Sequence, residues 1–202
     1  MPSLVPPVLL PSGVFAGEQP SLAGDSVLLR PWRDDDASAL LAAYADPGIQ
    51  HWNGMRLDPA EAAAYAAEWA ELWQTGRRVG WAIERRGADA DADATAATLV
   101  GRITLSRLDL EQGQGEVTYW VGPAARGTGV APAAVEAVAA WAFGLGFHRL
   151  ELEHSVGNIS SCRVADKTGF RLEGTLRSAV RHDDGWHDMH LHARLAGDAV
   201  SG

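Results

Sequence analysis

One segment constrains the fold of this chain more than any other: an expected strand leads through a glycine-rich turn into a long apolar helix. Residues 119–131 read Y-W-V-G-P-A-A-R-G-T-G-V-A, and the apolar helix pattern continues to Leu145. Free backbone N–H groups and the positive end of the helix dipole favour an anion at such a helix start. Glycines at 127 and 129 let the backbone approach that anion closely. The segment therefore predicts a phosphate or pyrophosphate site.

The sequence separates the ligands that could use this turn. An ATP or GTP loop needs G-x-x-x-x-G-K-[ST], but no lysine occurs between Gly122 and Leu150. A dinucleotide fold needs G-x-G-x-x-G, and the third glycine is replaced by Pro132. The pyrophosphate of coenzyme A remains as the third candidate. A plain strand-to-helix turn without a ligand is the alternative.

The remaining periodicities predict a mixed α/β fold with helices on both faces of its sheet. The expected element order is β-α-α-β-β-β-α-β-α-β-β. The expected strands cover residues 26–31, 79–84, 98–105, 116–121, 149–154, 171–177 and 186–194, and the expected helices cover 37–44, 58–76, 130–145 and 159–167.

Two segments are predicted to lie outside the main body of the chain. Residues 1–24 contain five prolines and three glycines and are interpreted as an arm, flexible or draped on the body. Residues 25–195 are expected to form a single domain, followed by a tail at 196–202. Within the domain, the loop with Asp89, Asp91 and Asp93 lacks the glycine and glutamate of a calcium loop and is interpreted as a solvated hairpin tip.

Composition excludes several classes of protein. The 202 residues include one cysteine, which rules out an internal disulfide and a zinc site of the usual kinds with two or more thiolates. The net charge of −9 argues against a nucleic-acid partner. No apolar stretch approaches the roughly 18 residues of a membrane helix, and the apolar N-terminus lacks the positive region of a signal peptide. We therefore expect no membrane partner and a cytoplasmic location.

Three motifs in this order resemble the GNAT superfamily of N-acetyltransferases. Residues 126–131, R-G-T-G-V-A, resemble its R/Q-x-x-G-x-G/A motif. Residues 158–174 resemble the N-x-x-S-x-x-V-x-x-K-x-G-F-x-x-E-G stretch of the RimJ/RimL-type branch, which acetylates the N-termini of ribosomal proteins. Residues 184–194 are similar to the last strand of that branch. The resemblance covers about residues 25–195.

The resemblance implies a fold, an activity and a co-substrate. It implies a mostly antiparallel sheet of about seven strands, in which residues 119–121 and 149–154 belong to a splayed parallel pair that holds acetyl-CoA. The implied reaction is acetyl transfer to a primary amine by direct attack in a ternary complex. The implied cofactor contacts are Tyr119, Trp120, Val121, Arg126, Gly127, Thr128, Gly129, Val130, Ala131, Asn158, Ser161 and Lys167, with the Val121 N–H on the acetyl oxygen.

The same resemblance assigns catalytic roles, with one departure from the family pattern. Ser161 corresponds to the proton donor for the departing thiolate, although Asn158 and Ser161 could instead only cap a helix. The branch has a carboxylate where this chain has Val180. Glu116 is therefore the predicted base, and Glu153 is the second candidate. A chain of water molecules could remove the proton in place of either. If both carboxylates only lie on a solvated strand face, neither has a catalytic role.

The acceptor side is less specified by the sequence. Trp52, in an expected loop, together with Glu153 and Asp188, is predicted to contact a peptide N-terminus or a small amine. The tryptophan could equally be an ordinary loop anchor. A homodimer is compatible with the sequence. Four histidines cluster at 182, 187, 190 and 192, but no metal is expected. The functional alternative is a non-catalytic acyl-CoA-binding regulatory module on the same fold.

Overall fold

Eight strands form one sheet in the computed structural model, which describes residues 5–15, 17–86 and 99–198. The strands are β1 (Leu22–Ala23), β2 (Val27–Arg30), β3 (Val79–Arg85), β4 (Leu99–Asp109), β5 (Gln114–Val121), β6 (Arg149–Ser155), β7 (Arg171–His182) and β8 (Gly185–Leu195). Their order is β1-β2-β3-β4-β5-β6-β8-β7, and only β5 and β6 pair in parallel. The predicted mixed, mostly antiparallel fold is confirmed, with β1 as one strand more than expected.

Six helices accompany the sheet in the described part of the chain. They are α1 (Pro11–Val14), α2 (Ala37–Tyr44), α3 (Pro47–Asn53), α4 (Pro59–Thr75), α5 (Val130–Leu145) and α6 (Ile159–Lys167). Side-chain caps explain several of their starts: Asp58 accepts a hydrogen bond from the Glu61 amide, and Asn158 accepts one from the Ser161 amide. None of the helices in these residue ranges has the length and apolar character needed to cross a membrane.

Helix α3 corrects the prediction of a loop around Trp52. The Asp46-Pro47-Gly48 segment follows the end of α2, whose C-cap is Ala45. In the structure, Asp46 caps the next helix by accepting a hydrogen bond from the Ile49 amide at 2.9 Å, and Pro47 is its first residue. The same residues therefore end α2 and begin α3, and Trp52 lies in a helix.

The two faces of the sheet are covered by separate apolar cores. The larger core packs α5 against residues such as Leu29, Ile103 and Val117. The smaller core joins α2, α3 and α4 to the other face through Tyr44 and Trp120. Because side chains alternate along a strand, β5 contributes Val117 to one core and Trp120 to the other. This strand is consequently held firmly from both sides.

Part of the proline-rich arm lies against the body of the protein. Leu9 and Val14 are buried, and the Leu9 amide donates to the Leu110 carbonyl at 3.0 Å. The Trp73 indole donates to the Gly17 carbonyl at 3.0 Å. The limits of the arm and of the tail stay predictions. The aspartate-rich loop with Asp89, Asp91 and Asp93 lies outside the described residues.

A buried charge network anchors β2. Arg30 on β2 pairs with Asp36 at 2.6 Å and also contacts the Glu84 carboxylate on β3. All three side chains are almost inaccessible, with exposures of 4%, 5% and 8%. Asp36 in addition accepts a hydrogen bond from the Arg33 amide at 2.8 Å. Asp36, at the N-cap of α2, therefore also neutralises a buried arginine.

Replacing Asp36 with alanine is expected to lower the free energy of unfolding by about 3–5 kcal/mol, because it leaves buried positive charge without its partner. Urea denaturation followed by circular dichroism measures this change. The matched control is Asp35→Ala, since the neighbouring Asp35 side chain is exposed. Equal stabilities of the two variants would contradict the role assigned to Asp36.

Candidate active site

A wedge opens between the two parallel strands β5 and β6. They pair in register from Gln114–Arg149 to Glu116–Glu151, whereas β6 continues to pair with β8 as far as Ser155. Beyond Glu116 the two strands therefore separate, and the β6-facing edge of β5 is open. The predicted parallel pair is confirmed, and this opening is where a ligand can enter the sheet.

A cavity of about 450 Å³ lies at this wedge. It is bounded by β5, the glycine turn, the start of α5, α3 and α6. Twelve predicted site residues line it: Trp52, Tyr119, Trp120, Val121, Arg126, Gly127, Gly129, Val130, Ala131, Asn158, Ser161 and Lys167. Its walls therefore bring together the two motifs that are about thirty residues apart in the chain.

The glycine turn is shaped for an anion. Gly127 and Gly129 have φ angles of +75° and +85°, a backbone region that other residues rarely adopt. A Cβ atom at either position would meet nothing within 4 Å, so the space beside both glycines is open. The Thr128 hydroxyl points away from that space and donates to the Ala125 carbonyl at 2.8 Å, which braces the turn. Thr128 is thus the one predicted turn residue that does not line the cavity.

Arg126 links the turn to α3. Its guanidinium pairs with the Asp46 carboxylate, and its Nε donates to the Val121 carbonyl at 3.2 Å. Partial burial opposes the ionisation of Asp46, but Arg126 and the Ile49 amide outweigh it and hold the pKa of that carboxyl below its usual value. Because its charge is shared with Asp46, Arg126 acts first as a brace between the turn and α3.

Two hydroxyl groups meet in the cavity wall. Ser161 follows Asn158 at the start of α6; the capping bond runs from its backbone N–H to the Asn158 Oδ1 atom at 3.2 Å, which leaves its side chain out of the cap. The Tyr119 hydroxyl is buried without a hydrogen-bond partner among the described residues, and the Ser161 hydroxyl is its polar neighbour. Burial raises the pKa of Tyr119 to about 12, while that neighbouring hydroxyl opposes the rise. The phenol is therefore protonated at neutral pH.

The two carboxylates predicted as bases lie outside the cavity lining. Glu116, buried on β5, accepts from Arg107 Nε at 3.1 Å, and Glu153 on β6 pairs with Arg107 Nη1 at 3.1 Å. Burial raises the pKa of Glu116 above its usual value, and the Arg107 charge opposes that rise. Glu116 also belongs to the last residue pair before the strands separate. It is thus placed beside the wedge and shares its counter-ion with Glu153.

The remaining predicted acceptor contact, Asp188, is also outside the cavity lining. Its carboxylate accepts a hydrogen bond from the Ser178 amide at 2.8 Å, at a bulge where Ser178 has a φ of +48°. Val180, the position without the family's carboxylate, pairs across the hairpin with His187. His187 is bonded to Ser155 Oγ at 2.8 Å through Nδ1 and to Asp184 at 2.7 Å through Nε2. This chain of polar groups was not predicted.

The structure adds cavity residues that the sequence analysis missed. They are Gly48, Ile49 and Asn53 around α3, Ala125 and Pro132 by the turn, and Ser160, Arg163 and Val164 on α6. Arg163 could have been found, because it lies four residues before Lys167 and three after Ser160, a helical spacing that gives one face. Arg163 and Lys167 are exposed cations at the cavity rim. The residues around α3 had no such signal, since α3 itself was not expected.

The histidine cluster predicted near the C-terminus is divided in two by the structure. His190 and His192 lie near His154 and Cys162, whereas His182 and His187 pack on His51 and Trp52. The first of these groups, His154, Cys162, His190 and His192, could hold a metal ion. A second group that could do so consists of His51, Asp183 and Asp184. Within residues 5–15, 17–86 and 99–198, side chains that could hold a metal therefore converge at two places.

The chain was compared with known protein families and sequences. The sequence model of the acetyltransferase (GNAT) domain matches residues 26–171. The uncharacterised N-acetyltransferase YoaA of Bacillus subtilis is 27% identical over 177 residues, which are 86% of this chain and 96% of that protein. The ribosomal-protein-serine acetyltransferase of Escherichia coli is 31% identical over 98 residues, which are 48% of this chain and 55% of that enzyme.

Solved structures show the same architecture. RimJ of Mycobacterium smegmatis, in complex with a CoA disulfide, superposes with a TM-score of 0.74 at 27% identity, covering 89% of this chain and 86% of that one. The ribosomal-protein-S5-alanine acetyltransferase of Vibrio fischeri superposes with a TM-score of 0.75 at 18% identity, covering 91% of this chain and 100% of that one. The second similarity concerns the fold alone.

Proposed function

Since this chain belongs to the GNAT family of acetyl-CoA-dependent acetyltransferases, we propose that it transfers the acetyl group to a primary amine by direct attack in a ternary complex. The observation that supports this most is the cavity at the β5–β6 wedge, which joins the glycine turn at one end to Tyr119 and Ser161 in its wall. Holding thioester and amine together in one site removes much of the entropic barrier to their reaction.

Acetyl-CoA is proposed to lie along this cavity. Its pyrophosphate would accept hydrogen bonds from the N–H groups of residues 126–131, at the positive end of the α5 dipole. Arg163 and Lys167 at the rim add charge that complements its phosphates. The acetyl oxygen would accept from the Val121 N–H, which polarises the carbonyl carbon. Asn158 is proposed to contact the pantetheine arm.

The chemical step needs two proton transfers. The amine nitrogen bonds to the carbonyl carbon, the C–S bond breaks, and the electron pair of that bond leaves on the thiolate. We propose that Ser161 donates the proton that the thiolate takes up. The protonated Tyr119 phenol lies beside the Ser161 hydroxyl, and the two groups deliver this proton together. Glu116 accepts the proton lost by the amine, directly or through water, and its raised pKa suits a base that works near neutral pH.

The acceptor is proposed to be the N-terminus of a peptide or protein, in line with a relative named as a ribosomal-protein-serine acetyltransferase. Trp52, Ile49 and Asn53 of α3 form part of the cavity wall. An aromatic ring and an amide in this position would contact the first residues of an extended peptide. Small-molecule amines are the alternative acceptors. Comparing the reaction rates of peptide and small-molecule amines distinguishes the two classes.

The amine pKa is expected to govern acceptor choice. A lysine-type amine has a pKa near 10.4 and an α-amino group one of about 7.7–8.0, so the lysine-type amine costs about 3 kcal/mol more to deprotonate at neutral pH. Thiol release from acetyl-CoA, measured over acceptors of matched shape, should give a kcat/KM that rises as the amine pKa falls. A preference for polyamines would contradict this expectation, and no thiol release with any acceptor would favour the non-catalytic CoA-binding module.

The Glu116→Gln variant should move the pH–rate profile to higher pH, because the amine must then lose its proton unaided. Glu111→Gln, an exposed residue in the turn after β4, is the matched control. An unchanged profile in Glu116→Gln, together with an altered one in His187→Asn, would transfer the role of base to the Ser155–His187–Asp184 chain. An altered profile in Glu153→Gln alone would transfer it to Glu153.

A further inference from the structure

Four side chains from three elements converge outside the cavity lining. They are His154 on β6, Cys162 on α6, and His190 and His192 on β8, and we call them the Cys–His cluster. One nitrogen or sulfur atom of each lies within 4.8 Å of the corresponding atoms of the other three. His154 and His192 are buried, and Cys162 and His190 are partly buried. None of these four residues has a role in the mechanism above.

The contacts of the two buried imidazoles require one more proton than two neutral rings carry. His154 Nδ1 faces the Ser155 carbonyl at 2.8 Å, and His192 Nδ1 faces the Phe170 carbonyl at 3.2 Å. A carbonyl oxygen only accepts, so each Nδ1 must carry a proton. The Nε2 atoms of the two rings then face each other at 3.2 Å with lone pairs on both. Two neutral rings have two protons, whereas these three contacts need three.

A positive ion between the rings, either a third proton or a metal, would satisfy all three contacts. A shared proton would engage only these two rings, whereas a metal would also engage His190 and Cys162 of the same cluster. A metal would accept both Nε2 lone pairs at once. His190 belongs to the same cluster. Its Nδ1 atom is buried without a hydrogen-bond partner among the described residues. The Asp166 carboxylate, one helical turn after Cys162, adds favourable negative charge.

The geometry suits zinc. Zinc–nitrogen bonds of 2.0–2.1 Å in a tetrahedron place two nitrogen ligands about 3.3 Å apart, close to the 3.2 Å between the Nε2 atoms of His154 and His192. A thiolate with imidazoles is a donor set that zinc prefers over calcium or magnesium. The two backbone carbonyls that hold the Nδ1 protons orient the rings in the way that outer-shell partners orient histidine ligands.

We propose that His154, Cys162, His190 and His192 bind one zinc ion as a closed four-ligand site. Four protein ligands leave no open position for a substrate, so the ion is structural. It connects α6 to β6 and β8, and α6 also holds Asn158 and Ser161 in the wall of the cavity. The site was missed from the sequence because zinc sites of the usual kinds have at least two cysteines, and because its ligands come from separate elements.

The first test is metal stoichiometry in the full-length protein. The reduced, metal-free chain is titrated with Zn²⁺, and separately with Co²⁺ as a spectroscopic substitute. We expect one equivalent of either metal to bind and the cobalt form to show a thiolate-to-cobalt charge-transfer band in the near ultraviolet. We also expect Zn²⁺ to raise the Tm, because only the folded state has the site preformed. The absence of stoichiometric binding would overturn the proposal and indicate a shared proton between the two rings.

Variants locate the ion. Cys162→Ser should abolish the charge-transfer band, weaken zinc binding by more than the 10–100-fold of a typical outer-shell substitution and remove the zinc-dependent rise in Tm. His148→Asn is the matched control, since the His148 side chain is exposed and outside the cluster, and it should bind zinc as the parent does. Equal zinc affinity in Cys162→Ser and the parent would overturn the proposal. So would loss of the ion in His51→Asn, which would place it at the other group of ligands.

Discussion

Replacing Ser161 with alanine is expected to lower kcat about 10²–10⁴-fold, the range for a positioned proton transfer, and to leave CoA affinity nearly unchanged. The reason is the departing thiolate, which loses its proton donor. Because the cap of α6 uses the backbone N–H of Ser161 and the side chain of Asn158, alanine keeps that hydrogen bond. Steady-state thiol release and calorimetric titration with CoA measure the two quantities separately.

The adjacent phenol provides the sharpest check on this assignment. If Ser161 and Tyr119 deliver one proton together, the double variant Ser161→Ala/Tyr119→Phe should be little worse than the poorer single variant, because residues that act as a unit are not additive. Ser38→Ala, an exposed serine in α2, is the matched control and should keep parental kcat. Parental turnover in Ser161→Ala, with chemistry rate-limiting, would contradict the role of Ser161.

Gly129→Glu is expected to weaken CoA binding roughly 100-fold relative to Gly129→Ala, since juxtaposed like charges cost several kcal/mol and 1.4 kcal/mol is a factor of ten. Both substitutions impose the same backbone strain at a φ of +85°, so that strain cancels in the comparison of the two variants. A Cβ atom at Gly129 would meet no heavy atom within 4 Å, so neither substitution clashes at its Cβ. Calorimetric titration with CoA provides the affinities, and circular dichroism confirms that each variant is folded.

Equal CoA affinity in the two folded variants would show that the pyrophosphate does not lie beside Gly129. A parallel titration at raised ionic strength provides a further check. The difference in CoA affinity between the glutamate and alanine variants should decrease as salt screens the repulsion between the carboxylate and the pyrophosphate. A difference insensitive to salt would indicate a steric cause in place of the charge.

Local signals determined much of the molecule from the sequence alone. The glycine turn, the long helix after it and the short helix over 159–167 were predicted with the bounds that the structure has. Their start and end signals, such as Asn158 before α6 and Gly169 after it, lie within a few residues of the backbone groups they satisfy. Helix α3 was missed, because one Asp-Pro-Gly segment both ends α2 and begins α3.

Tertiary structure alone decided which of the candidate groups meet. The sequence placed Glu116 and Glu153 on two strands, but only the sheet showed that both share Arg107, a residue at a bulge in β4. The approach of the Tyr119 hydroxyl to Ser161, and the convergence of the Cys–His cluster from β6, α6 and β8, likewise depend on strand register and helix packing. A residue's sequence neighbourhood determines its backbone conformation, whereas its chemical partners depend on how distant elements pack, and that information is spread over the whole chain.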